Sequence, residues 1–490
     1  VLEKYIEHNI FRKVYLCEQL YEFSKIDIEQ SAKLLKVSIP TLQSDLENMI
    51  ECLEYCIESY SKEKHYFMIN FKDGITLSEL TQFIYGQSYV LKFISYYFKG
   101  IFSSTTLSDL EFISLSKVYK VKKIVLDFFK ENEYLNDKKI LIPEFDSRNI
   151  LLALVRYINW DGYDNRSPSV KRAISNLIEY VEINFFNRRY SDEEKFFIYR
   201  GIEIAVGRKE YSLKFSDEEK KEAENKPLFI LVSQGLSKQK KFLDLQEDDV
   251  YYIFSLFNTR NYTNKNMELL RKDVDVVYKH FVTKNIFYQN LFELIAARIN
   301  VHKCDNYIFK RAFIQFVRTL WANGQVFLPE KIYLLNEREE KIYSTILSIL
   351  DEWKENNNLN IRWNYNLVRK FIKEIELFFS CCSETSVSEI FIVTENATKQ
   401  LFYRDQLSVY MKETVRINSG IYHSLKELPN ECFYENARIV LCDMKIYHNE
   451  KSTKKTIIFP VSLRNIETQL YLLKKYLNEN KKVLDLKDFI

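Results

Sequence analysis

Glycine and proline are scarce in this 490-residue chain, 9 and 7 in all, so few turns can rely on glycine's freedom or proline's fixed φ. Long helices joined by short polar loops are the expected consequence. Apolar runs are short too: "ILLALV" at 150–155 is among the longest, against the roughly 18 residues a membrane-crossing helix needs. The opening residues carry no secretory signal pattern, and because the chain starts at Val1 without an initiator methionine, a few residues there are expected to be missing or altered. The eight cysteines show no CxxC or Cys/His finger spacing, which points to reduced, mostly buried thiols in a cytoplasmic protein. P-loop, GxGxxG, HExxH and GxSxG patterns are missing as well, so neither an enzyme nor a bound metal or cofactor is expected.

What is present is a globular composition, 46% hydrophobic and 28% charged, with 34 Tyr and 36 Phe to build cores. A net charge of +3 says little by itself, because surfaces that bind polyanions are local. One such surface stands out: "SLSKVYKVKKIVLDFF" (114–129) lays Lys117, Lys120, Lys122 and Lys123 along a helical apolar repeat.

Upstream, "IDIEQSAKLLKVSIPTLQSDLENMIECL" reads as two amphipathic helices around a short turn. Ile28, Ala32 and Leu35 mark the first helix; Leu42, Leu46, Met49 and Leu53 mark the second. Val37 plugs the turn and Ser38 is placed to cap the second helix. "TLSDLEF", "ISL" and "SKVYKVKKIVLDFF" repeat the plan 76 residues on (Ile113 against Val37). Here Val118, Val121, Ile124, Val125 and Phe128 are expected in the core, leaving Ser116, Lys117, Tyr119, Lys120, Lys122 and Lys123 outward or flanking, residue types that reach phosphates and base edges. The first pair offers Thr41, Gln43 and Ser44 without positive charge. Strand pairs are expected after each: around a turn at Ser61 to Lys64, and at "LNDKKILIPEF".

The positions Ala32, Val37, Ser38, Thr41, Leu42, Asp45 and Leu46 fit the helix-turn-helix of winged-helix bacterial regulators, with Lys36 where those often have glycine. Two such units, a helical middle and an α/β end together resemble the Mga/AtxA family of global virulence regulators of Gram-positive bacteria. That resemblance implies a multidomain, mainly α chain: winged helices at 1–72 and 73–162, two phosphotransferase-system regulation domains as helical bundles at 163–272 and 273–383, and an enzyme IIB-like α/β domain with a parallel sheet at 384–490. It further implies binding of double-stranded DNA, self-association through the last domain, and phosphotransferase proteins as partners of any regulation domain that keeps its histidines. "IYRGIEIAVGR" follows the regulation-domain pattern through Ile202, Ala205, Val206 and Arg208, but Gly201 stands at the phosphoacceptor position. Leu256 or a neighbour stands at the second, and Leu294 at the corresponding place in the next domain. Gly and Leu offer no nucleophile to a phosphodonor. His280 and His302 are the remaining candidates, both compatible with an ordinary structural histidine.

After "SCCSETS" (380–386) the periodicity changes. "EIFIVT", "ARIVLCDM" and "TIIFPV" read as buried parallel strands, with a last helix at "RNIETQLYLLKKYLNEN". The loop after the first strand, "TENATKQLF", has neither the cysteine nor the glycines of a phosphocysteine loop. Two other readings compete with a DNA-binding regulator: an RNA-binding antiterminator, whose opening module would be short and β-rich, and an interaction scaffold that ignores nucleic acid.

Overall fold

The computed structural model describes residues 2–136, 139–163, 167–298, 307–382, 388–411, 415–429, 438–449 and 456–479. Helices dominate, and the chain divides between Phe378 and Phe379 into two units.

In the first unit, α1 (His8–Phe23), β1 (Lys25–Asp27), α2 (Ile28–Leu35), α3 (Ile39–Leu53), β2 (Ile57–Lys62) and β3 (Tyr66–Phe71) follow one another. The strands form an antiparallel sheet in the order β1-β3-β2, with Ile26 opposite Phe67 and Tyr60 opposite Ile69. The hairpin turn falls on Glu63 to His65, later than expected, because pairing continues to Lys62 opposite Phe67. Ile26, Phe67 and Ile69 of the sheet are buried, as are Leu42, Leu46 and Met49 of α3, and complete burial of such side chains contributes about 1.5–3 kcal/mol each. Asp45 is the buried charge on α3: Arg12 of α1 donates to it from Nε at 2.5 Å and from a terminal nitrogen at 3.2 Å.

Next come α4 (Leu77–Tyr85), α5 (Tyr89–Phe98), α6 (Ser104–Glu111), α7 (Leu115–Glu131), the two-residue strands β4 (Leu135–Asn136) and β5 (Lys139–Ile140), and α8 (Glu144–Ile158). β4 and β5 pair antiparallel where a hairpin was expected; the tip at 137–138 lies outside the described residues. Glu7, just before α1, accepts from the Ser88 hydroxyl at 2.5 Å and from the Tyr89 and Val90 N–H groups, so a carboxylate sits on the positive end of α5.

The helical middle is held by charge buried between helices. Arg148 of α8 donates to Glu144 at 2.8 Å and to Asp249 at 2.6 Å, while Arg208 grips Glu144 at 2.8 and 2.6 Å. This joins α8 to the helices Asp192–Gly207 and Asp249–Thr259. Two short strands, β6 (Arg188–Arg189) and β7 (Thr263–Asn264), pair antiparallel within the same region. Phe128 of α7 packs edge-on against Phe327 at 6.2 Å, and Arg362 reaches Asp146 at 2.8 Å. Through these contacts the middle touches the segment that carries the lysines.

The second unit is a four-stranded parallel sheet. β8 (Ser388–Val393), β9 (Val415–Ile417), β10 (Arg438–Asp443) and β11 (Thr456–Val461) lie in the order β11-β10-β8-β9. Alternation splits β8, β10 and β11 between two cores. Ile390, Ile392, Ile439 and Leu441 meet Tyr403, Leu407, Leu470 and Leu473 of the helices Ala397–Met411 and Ile466–Glu479. Phe391, Val393, Val440 and Cys442 face Leu428. β9 has no counterpart in the sequence expectation, since three residues are too few to show a period.

Candidate nucleic-acid interface

The two helix pairs, α2–α3 and α6–α7, turn by the same backbone route. α2 ends on Lys36 at φ 56°, ψ 43°, and α6 ends on Phe112 at φ 52°, ψ 43°. Both are left-handed without glycine, at a cost of about 1 kcal/mol each. The next amide returns to the helix in both: Val37 N–H donates to Ala32 O at 3.0 Å, and Ile113 N–H to Ser108 O at 3.2 Å. A serine hydroxyl then caps each following helix. Ser38 accepts from Thr41 N–H at 3.3 Å, and Ser114 from Lys117 N–H at 3.3 Å. Each atom pair is repeated at the 76-residue offset already visible in Val37 and Ile113.

The outward chemistry differs. On α7, Val118, Val121, Val125, Phe128 and Phe129 are buried, and Ser116, Lys117, Tyr119, Lys120 and Lys123 are exposed. At roughly 100° per residue, Lys120, Ser116, Lys123 and Tyr119 span the face opposite that core. Lys120 and Lys123 have no ion-pair partner among the described residues. Lys117 sits at the edge, its ammonium 4.0 Å from the Tyr89 ring centre, a cation–π contact that fixes its direction.

Lys122 takes the flanking place expected of it: it is half-buried, and its Nζ donates to Phe102 O at 2.9 Å and to Ser104 Oγ at 3.1 Å. One expectation for this helix needs correction. Ile124 was expected inside, yet it is 36% exposed; it lies about 90° round the helix from the centre of the buried stripe.

On α3, Thr41 and Ser44 are exposed and Gln43 is half-buried. Thr41 Oγ1 lies 2.8 Å from Ser38 Oγ, and Asn48 Nδ2 donates to Ser44 O at 2.7 Å. Beside them the face carries exposed Glu47 and Glu51, which disfavour a polyanion.

Sequence reasoning passed over two residues near the lysines. Phe112, in the turn itself, is 94% exposed; an aromatic at a helix end reads as core unless the left-handed turn is known. Lys139 of β5 is exposed beside the hairpin tip, and a two-residue strand gives no periodic signal.

The histidine candidates fare differently from one another. His302 lies outside the described residues. His280 is half-buried in a single π-helical turn, Lys279–Thr283, and its Nδ1 is 3.2 Å from the Asn225 carbonyl, which places the neutral ring's proton on Nδ1. Burial, then Lys284, holds its pKa below the ordinary value. Gly201 and Leu256, where the resemblance would put phosphoacceptors, face each other across a helix contact. A Cβ on Gly201 would stand 2.6 Å from the Leu256 methyls, and both residues are buried.

In the second unit, the crevice beyond the carboxyl ends of β8 and β10, where an open parallel sheet commonly binds ligands, is occupied by an ion-pair network. Lys399 Nζ donates to Glu395 Oε1 at 2.5 Å and to Asp443 at 2.7 Å, and Thr394 Oγ1 is 3.1 Å from Gln400 Oε1. A scan against protein-family models and a search of curated proteins return no match for the chain.

Proposed function

We propose that the chain is a DNA-binding transcriptional regulator of the Mga/AtxA type, working in the cytoplasm and gripping double-stranded DNA chiefly through α7. The observation that carries this reading is the exposure of Lys120 and Lys123, with no ion-pair partner among the described residues, on a helix whose start is fixed by the Ser114 cap. The order α1-β1-α2-α3-β2-β3, with β1 closing a three-stranded sheet, suits a winged helix. The pair α6–α7 with the β4–β5 hairpin suits a second one, with Lys139 as a further phosphate contact from its wing. A helical opening segment speaks against the β-rich module of an RNA-binding antiterminator.

Each lysine that neutralises a phosphate releases counterions, with a slope of about −0.9 in log K against log salt. The regulator reading assigns α3 a lesser share, through Thr41, Gln43 and Ser44. Self-association belongs to the second unit in this reading, where Leu401, Val409 and Tyr410 on one helix and Tyr471 and Leu472 on another are exposed apolar side chains. Phosphotransfer control at positions 201 and 256 has no part in it.

The test is fluorescence-anisotropy titration of a generic duplex across a salt series with wild type and Lys120→Ala/Lys123→Ala. The variant is expected to bind about 10- to 30-fold more weakly at low salt and to flatten the slope by about 2. Equal affinity and slope in a folded variant would remove α7 from the contact surface.

A further inference from the structure

One cluster in the helical middle gathers three arginines around a single tyrosine. Arg188, Arg311 and Arg318 surround Tyr262, with guanidinium carbons 3.6, 4.2 and 5.1 Å from its ring centre. Asp273 is the carboxylate of this cluster, and its oxygens are taken. Arg188 donates to it at 2.8 and 2.6 Å, Asn264 at 3.0 Å and the Tyr262 hydroxyl at 3.2 Å.

Arg318 is left over. It is 1% exposed, one terminal nitrogen donates to Arg260 O at 3.2 Å, and its Nε and Nη1 meet no acceptor among the described residues. Burial pushes its pKa down to about 10, with Arg311 and Arg188 adding to the effect against Tyr262, and it therefore remains a cation at neutral pH. A buried charge without a partner costs several kcal/mol, which makes its persistence informative.

Arg318 also lines a small cavity, of about 10 Å³, with Arg188, Asn258, His280, Pro227 and Leu228. This is room for the centre of one water-sized group. Pro227 and Leu228 open the helix Pro227–Gln239, which has no side-chain cap and turns the positive end of its dipole to this wall. Pro227 and His280 are half-exposed, so the cavity reaches solvent on their side. Every charged side chain on the lining is cationic or, for His280, able to become so.

We propose that this cavity binds a small inorganic anion, held by the Nε and Nη1 of Arg318. The cavity admits a halide ion, or one oxygen of an oxyanion entering beside His280. Arg188 and Asn258 come from the segment expected as the first regulation domain, His280 and Arg318 from the second, so a bound anion would tie the two together.

Thermal unfolding of the full chain tests this, with chloride or phosphate replacing gluconate at constant ionic strength, in wild type and Arg318→Met. Wild type is expected to gain about 2 °C or more in a saturable manner, with chloride alone if the occupant is a halide and with phosphate if it is an oxyanion. Arg318→Met is expected to lose that response. Parallel responses of the two proteins, or a saturable response of wild type to neither anion, would overturn the site. If Arg318→Met does not fold, equilibrium dialysis of wild type against radiolabelled chloride and phosphate decides alone: one equivalent bound at saturation supports the site, and no binding of either rejects it.

Discussion

In α3 the outward face holds Thr41, Ser44 and Asn48 beside Glu47 and Glu51; in α7 it holds Ser116, Tyr119, Lys120 and Lys123. The turns that deliver these helices share their left-handed residue, their returning amide and their serine cap. Backbone geometry therefore does not distinguish the two helices toward a polyanion, and charge does. The inner faces differ as well. α3 carries the buried Asp45 clamped by Arg12, whereas the position 76 residues on is Val121, an apolar core residue.

The clamp gives the largest expected effect. Asp45→Ala removes one partner of a largely buried, doubly hydrogen-bonded pair and leaves Arg12 uncompensated, a loss of about 3 kcal/mol. Val121→Ala deletes two methyl groups from a packed helix face and should cost about 1–2 kcal/mol. Because a chain of several domains need not unfold in one step, hydrogen exchange is the suitable measurement. Asp45→Ala is expected to lower protection in α3 and the β1-β3-β2 sheet while α7 keeps its own. Equal loss in α7 would show that the two helix pairs open as one unit and would break the comparison.

The sequence showed the helix pairs well because both signals are local: an apolar 3–4 repeat and a serine at the start of a helix. It showed the parallel strands Ser388–Val393, Arg438–Asp443 and Thr456–Val461 for the same reason. It misplaced Ile124, which lies at the border of the buried stripe, where a few tens of degrees decide exposure. The contact between Gly201 and Leu256 and the gathering of Arg188, Arg311 and Arg318 around Tyr262 had no sequence signal at all. They depend on which helices pack together, across separations of 49 to 74 residues.

A charge graft sharpens the contrast between the outward faces. Glu47→Lys/Glu51→Lys replaces the acidic edge of α3 with a positive one without touching buried residues. If α3 lies near DNA in the bound state, low-salt affinity should rise about 5- to 10-fold and the salt slope should steepen by about 2. An unchanged slope would place α3 away from the phosphates and leave α7 as the sole basic contact of the two.

The smallest effect separates turn geometry from surface chemistry. Lys36 and Phe112 each occupy a left-handed position that glycine adopts without strain. Lys36→Gly and Phe112→Gly should each relieve about 1 kcal/mol of strain, offset in part by the greater freedom of glycine in the unfolded chain, for a net local gain of about 0.5 kcal/mol. Exchange of the amides that return to each helix, Val37 and Ile113, should slow by about twofold in the respective variant. In the proposed DNA binding the two substitutions part company. Phe112 is almost wholly exposed beside the lysine-bearing helix, so its loss should reduce affinity if the aromatic ring touches the duplex, whereas Lys36→Gly should alter affinity only through one charge. A stabilised Phe112→Gly protein that binds as tightly as wild type would make Phe112 a tolerated turn residue, and the contact surface would begin at Ser116.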